Sequence, residues 1–289
     1  MRTAGTSPAL SDEEVERGYN NRAAVPEYPQ WFARWDELAD AARAALRPEV
    51  DVRYGPNANE TLDIYRAGAA PRGTFVFIHG GWWRSLDKRN HAFVAPAFVT
   101  AGYAVAVLNY DLCPVVSIAT IVEECRRALV WIVREGAAHG LDTERIVVAG
   151  HSAGGHLAAM LHATDWSKHG LARHPLAGGV SLSGVHDLVP MVQFSHNSDF
   201  RLDIAEAQRL SPIHYLPTTS APFLVAVGAD ETTEFLRQSD LLWDAWAASR
   251  PRGRASVLRV PQRHHYNVVL DYADPASELM RSTLALFPT

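Results

Sequence analysis

The sequence predicts an α/β protein, a mostly parallel sheet of about eight strands with helices on both faces. Three observations carry that reading. Short apolar runs at residues 74–78, 104–108, 145–149, 179–182, 223–227 and 256–260 have the character of strands buried on both faces. Segments of helical periodicity separate most of them, at 90–101, 117–138, 153–164 and 235–249, and another closes the chain at 276–287. Ahead of these, 50–54 and 61–65 alternate around an Asn57/Asn59 turn, the pattern of an antiparallel hairpin at one sheet edge.

Taken in order, residues 1–14 show no hydrophobic period and are expected to be mobile. Residues 19–29, with two prolines and an Asn-Asn pair, read as coil lying over the core. Trp31, Trp35, Leu38, Ala42 and Leu46 form an apolar stripe at helical spacing. The helix at 117–138 is the best defined. Ser117 is placed to cap it, and Ile118, Ile121, Val122, Cys125, Leu129, Ile132 and Val133 share one face. Residues 187–212 read as an insertion over the sheet's C-terminal edge, where such folds bind ligands. No repeat or low-complexity linker divides the chain, so 1–289 is expected to be one domain.

The net charge of −5 and hydrophobic fraction of 47% describe an ordinary globular chain. Its basic residues are scattered, and the cluster Arg250, Arg252 and Arg254 is too small for a nucleic-acid-binding face. No apolar stretch is long enough to span a bilayer, and no secretory signal pattern opens the chain, which makes cytoplasmic residence the default expectation. Cys113 and Cys125 read as idle thiols. His151/His156 and His264/His265 lack the spacing of zinc motifs, so neither metal nor cofactor is expected.

The chemistry concentrates in two glycine-rich turns. Gly150-His151-Ser152-Ala153-Gly154 joins an apolar strand to a helix, the Gly-x-Ser-x-Gly pattern that presents a nucleophilic serine on a strained turn. His79-Gly80-Gly81-Trp82-Trp83 precedes it by about 70 residues and also closes a strand. A serine attacking a carbonyl needs fixed N–H donors for the oxyanion that forms. The amides of Gly81, Trp82 and Ala153 are the candidates, with His79 bracing the loop. Chain order then asks for an acid after a late strand and a histidine after the next. Asp230, at the end of the 223–227 strand, is the expected acid, with Glu231 and Glu234 as neighbouring alternatives. His264 and His265 are equally placed as base on composition alone.

These residues resemble the kynurenine formamidase (arylformamidase) branch of the α/β-hydrolases, related to the hormone-sensitive-lipase-like esterases. The likeness runs from about Tyr19 to the C-terminus. It includes Tyr19-Asn20-Asn21-Arg22, His79 to Trp83, Gly150 to Gly154, Ser183-Gly184-Val185-His186-Asp187, Asp230 to Ser239, and His265-Tyr266. The resemblance implies an α/β-hydrolase fold, Ser152, Asp230 and His265 as catalytic residues, and no cofactor. It also implies hydrolysis of a small-molecule aryl formamide or ester, a homodimer, and a pocket near Trp83, His186 and Tyr266. Trp82 stands where the family often has Tyr, His186 where Tyr or Phe is common, and Tyr266 where Phe is found. Those departures touch substrate choice more than the triad.

Overall fold

The computed structural model describes residues 10–288. Eight strands form one sheet in the order β1-β2-β4-β3-β5-β6-β7-β8. They are β1 (Glu49–Arg53), β2 (Thr61–Tyr65), β3 (Thr74–Ile78), β4 (Ala104–Leu108), β5 (Ile146–His151), β6 (Leu176–Leu182), β7 (Phe223–Gly228) and β8 (Leu258–Val260). Only the β1–β2 and β2–β4 pairs are antiparallel, the first of them the hairpin that the alternation predicts. The pairs from β4 through β3, β5, β6 and β7 to β8 are all parallel.

Helices fill the crossovers: α1 (Asp12–Tyr19), α2 (Asn21–Ala24), α3 (Tyr28–Leu46), α4 (Ala95–Thr100), α5 (Ile118–Glu135), α6 (Ala153–His162), α7 (Asn197–Phe200), α8 (Ile204–Arg209), α9 (Thr233–Ala245) and α10 (Glu278–Leu284). The expected 90–101 helix is split. Residues Lys88–Val94 form a tighter 3-10 turn capped by Asp87, and the α-helix begins with Pro96 in its first turn, where a missing N–H costs nothing. Ser117 caps α5 as expected, accepting from the Thr120 amide.

The N-terminal expectations need correction. Of the stretch read as mobile, residues 1–9 lie outside the described residues, but Asp12 to Glu14 open a helix. Ser11 and Glu14 form a reciprocal capping box, each side chain bonded to the other's backbone N–H, and this holds the first turn. Residues 21–24, read as coil, form α2, with Asn20 as its cap.

Strand alternation sorts the core onto the two faces. Val76, Ile78, Ile146 and Val148 point to the side carrying α5, α6 and α9, while Phe75, Phe77, Val147 and Ala149 point to the side carrying α3, α4 and α10. Cys113 and Cys125 are both buried free thiols. No described helix is long and apolar enough to cross a membrane.

Several buried residues are histidines. Desolvation drives His91 down to about 3, His156 to about 4 and His162 to about 3, so all three are held neutral. Below their ordinary value of 6.5 the unfolded chain takes up protons that the folded protein excludes, so acid favours unfolding. Glu124 acts in the opposite sense. Burial raises its carboxyl to about 7, so between there and 4.5 the folded state holds a proton the unfolded chain lacks. Three groups outweigh one. The folded state is therefore expected to lose on the order of 1 kcal/mol of stability per pH unit for each uncompensated histidine as the pH drops from 6.5 toward 4.5, and the melting temperature to fall with it. Scanning calorimetry across that range checks this, and His162→Leu, which removes one such group from between Phe223 and Trp246, should make the decline shallower.

Candidate active site

The site is assembled where β5 gives way to α6. Ser152 sits between them in a left-handed conformation, φ 57° and ψ −120°, which costs roughly 1–3 kcal/mol for a residue with a side chain. Two glycines allow that turn. A Cβ on Gly150 would lie 2.0 Å from the Gly154 carbonyl oxygen, and one on Gly154 would lie 2.0 Å from that of Ile78. The Ser152 amide donates to the Leu182 carbonyl at 2.9 Å, tying the turn to the end of β6. The hydroxyl is thereby lifted off the sheet's C-terminal edge.

His265 meets it there. The Ser152 hydroxyl donates to His265 Nε2 at 3.0 Å, and His265 Nδ1 donates to Glu231 Oε2 at 2.7 Å. The His265 backbone is fixed as well, because the His151 ring donates from Nε2 to its carbonyl at 2.9 Å. On one flank the Phe235 ring lies 4.5 Å from the imidazole.

Asp230 does not reach this site. β7 ends at Gly228, and the Ala229 and Asp230 amides donate to the Val260 and Arg263 carbonyls, which turns the Asp230 side chain to solvent. One residue later the chain faces inward, and the longer Glu231 side chain is completely buried beneath His265. Its second oxygen accepts from the Ser183 hydroxyl and from the Gly228 amide. Three hydrogen bonds therefore converge on this carboxyl group. Glu234, the other alternative, accepts from Tyr19 Oη at 2.8 Å and pairs with Arg237, fastening the N-terminal segment to α9. His264 points elsewhere. Its Nδ1 accepts from the Tyr266 amide, and its ring meets Trp31 edge-on.

The loop after β3 faces Ser152 from the other side. Gly81, Trp82 and Trp83 are three consecutive left-handed residues, with φ of 100°, 55° and 53°. The amides of Gly81, Trp82 and Ala153 have no hydrogen-bond acceptor among the described residues. His79 stiffens the loop base. It donates from Nδ1 to the Gly80 carbonyl and stacks on Tyr110 at 4.3 Å, while Tyr110 Oη donates to the His79 carbonyl.

The cleft above Ser152 is small, about 40 Å³, and Gly81, Trp82, His151, His265 and Tyr266 border it. Tyr266, expected near the pocket, borders this cleft. Trp83 and His186 do not. Trp83 is fully buried, with its indole against His156 and Phe200. His186 is also fully buried, with Nε2 against Ser181 Oγ and its amide donating to Gln238 Oε1. Asn21, Arg22, Phe32, Trp35 and Leu86 border the cleft without having been singled out for it. The Asn21-Arg22 pair was visible only as part of the N-terminal likeness. The expected insertion contributes Phe194 and Phe200, which pack on Trp82 at 5.0 and 6.4 Å between ring centres.

Fold and site together define an α/β-hydrolase. The BD-FAE family model matches residues 62–246. A kynurenine formamidase from Salmo salar is 27% identical over 82% of this chain and 81% of its own length. Esterase LipQ of Mycobacterium tuberculosis is 28% identical over 74% of this chain, which spans 56% of that protein. A solved structure of a candidate thioesterase from Silicibacter sp. tm1040 superposes with a TM-score of 0.81 at 31% identity, covering 94% of this chain and 99% of that one. The chain belongs to the BD-FAE family, in the kynurenine formamidase-like branch of the α/β-hydrolases, and it is a hydrolase.

The placement of the two acids generates a direct contrast. Glu231→Gln should lower kcat by roughly 10³–10⁴, because the imidazole loses its anionic partner and its tautomer is no longer enforced. Asp230→Asn should stay within about twofold of the parent. Steady-state kinetics on any turned-over ester compares them, and the reverse ranking would reinstate Asp230.

Proposed function

We propose that the protein is a serine hydrolase that removes a small acyl group from an aryl amine or aryl ester, with an aryl formamide as the preferred substrate. The Ser152–His265–Glu231 hydrogen-bond relay carries this reading. His265 Nε2 takes the Ser152 proton as Oγ attacks the formyl carbon. The oxyanion of the tetrahedral intermediate is held by the Gly81, Trp82 and Ala153 amides, each worth roughly 2.7–4 kcal/mol to the transition state. His265 then gives its proton to the departing aryl nitrogen, leaving formyl-Ser152. A water attacks that ester as His265 accepts the water's proton. Collapse of the second intermediate releases formate and returns the proton to Ser152. Glu231 orients the imidazole and stabilises its cation in both halves.

The cleft beside Ser152 is narrow, which favours a formyl group over a butyryl chain on the acyl side. Aromatic side chains at Phe32, Trp35 and Tyr266 suit a planar leaving group. The kynurenine formamidase relatives point to the same chemistry.

A second reading, a short-chain or aryl carboxylesterase with the same triad, draws on the esterase relative and on Trp82 and Tyr266 at the cleft. Comparing kcat/KM for N-formylkynurenine and p-nitrophenyl acetate separates the two. Under the formamidase reading, rates on aryl esters should fall from formyl to acetyl to butyryl, and a flat or rising series would remove the preference. Fluorophosphonate labelling that persists in Ser152→Ala would end both readings.

A further inference from the structure

The cleft contains one polar group that the triad and the oxyanion donors do not use. Asn21 is only 3% exposed, yet its Nδ2 has no hydrogen-bond partner among the described residues, and its side chain borders the cleft that holds Ser152 and His265. Leaving an amide donor buried and unpaired is costly, so a residue of this kind at a reacting centre calls for a partner that arrives with the substrate. The next residue adds charge. Arg22 also borders the cleft and is exposed. It makes no ion pair among the described residues; its guanidinium carbon lies 5.2 Å from the centre of the Tyr28 ring, and the group also interacts with the Tyr266 hydroxyl at the cleft edge.

The position of these two donors indicates which part of a substrate they meet. His265 must protonate the leaving group, so the leaving group lies on the His265 side of Ser152. Tyr266 follows His265 in the chain and borders the same cleft, and its ring packs on Tyr28 at 5.8 Å and Phe32 at 5.4 Å. An aromatic leaving group in this place is surrounded by rings, with Asn21 and Arg22 at its rim. Two adjacent N–H donors, one of them charged, match the paired oxygens of a carboxylate. No side-chain carboxylate borders the cleft to repel it.

Building on the proposed aryl-acyl hydrolysis, we infer that Asn21 and Arg22 form a leaving-group subsite that selects aromatic substrates bearing a carboxylate. Asn21 Nδ2 donates from the buried side and the Arg22 guanidinium from the solvent side. Both are positioning residues. They hold the ring so that its scissile nitrogen or oxygen faces His265 Nε2. The short helix α2 carries both residues and is capped by Asn20, whose side chain accepts from the Ala23 amide, so the pair is presented on an ordered turn.

The test uses the full-length protein and a matched pair of substrates, 3-acetoxybenzoate and its methyl ester. The readout is the ratio of kcat/KM for acid over ester, in which losses common to both substrates cancel. In the parent protein the acid should be favoured by roughly tenfold, carried mainly by KM. Arg22→Gln should bring the ratio close to one, Arg22→Lys should recover part of it, and Asn21→Asp should drive it below one by placing an anion opposite the substrate's. If the ester is hydrolysed but the parent shows no preference for the acid, the subsite is overturned while aryl-acyl hydrolysis stands. A preference that survives unchanged in both Arg22→Gln and Asn21→Asp overturns it as well. Turnover of neither substrate would bring down the aryl-acyl reading together with the subsite.

Discussion

The Glu231 carboxylate is the contact on which the rest of the site depends. A buried anion is costly unless it is fully hydrogen-bonded. Here it accepts from His265 in the loop after β8, Ser183 at the end of β6 and the Gly228 amide at the end of β7. One side chain thus joins the C-terminal ends of three neighbouring strands. His265 is locked from the other side by His151, the residue before Ser152. Ser152, the His265 imidazole and the Glu231 carboxylate are therefore parts of one continuous hydrogen-bonded unit, and a shift in any of the three strand ends would be felt by all of them.

The N-terminal segment is the second constraint. Tyr19 packs against Trp82 and Phe235 at 6.3 and 6.0 Å, and its hydroxyl is shared among Glu234, Arg237 and Gln238. Gln238 in turn accepts from the His186 and Asp187 amides. This buried polar cluster holds the segment ahead of α3 against the helix that follows Glu231. It also wedges Trp82, which borders the cleft with Ser152, between Tyr19 and the aromatic side chains of residues 194 and 200. The narrow cleft is a consequence of that packing. Its size follows from the rings around it and not from the sheet.

The sheet was legible because each strand announces itself through continuous burial. Phe75, Val76, Phe77 and Ile78 are all interior, which only a strand covered on both faces produces. Ser152 was legible for a different reason. Gly150 and Gly154 are required by contacts of 2.0 Å that no other residue survives, so the glycines mark the turn wherever it occurs. Helix boundaries near Lys88 and Asp12 were harder to read, since short capped turns leave little periodic signal. Glu231 was not preferred over Asp230, because the two are neighbours and which of them faces His265 depends on two backbone hydrogen bonds to the Val260 and Arg263 carbonyls. Trp83 and His186 were misassigned to the pocket on similar grounds. Proximity to the motif says nothing about which way the backbone turns a side chain.

Local patterns were thus enough to establish the alternating architecture, the strained turn at Ser152, the facing glycine loop and the histidine segment, because each depends on residues close together in the chain. The choice of Glu231 over Asp230, the burial of Trp83 and His186, and the convergence of Asn21 and Arg22 on a serine about 130 positions away were decided only when the strands came together. These outcomes rest on side-chain direction and on contacts between distant segments. Composition and spacing do not encode either one, whereas the packed sheet permits only one arrangement of each.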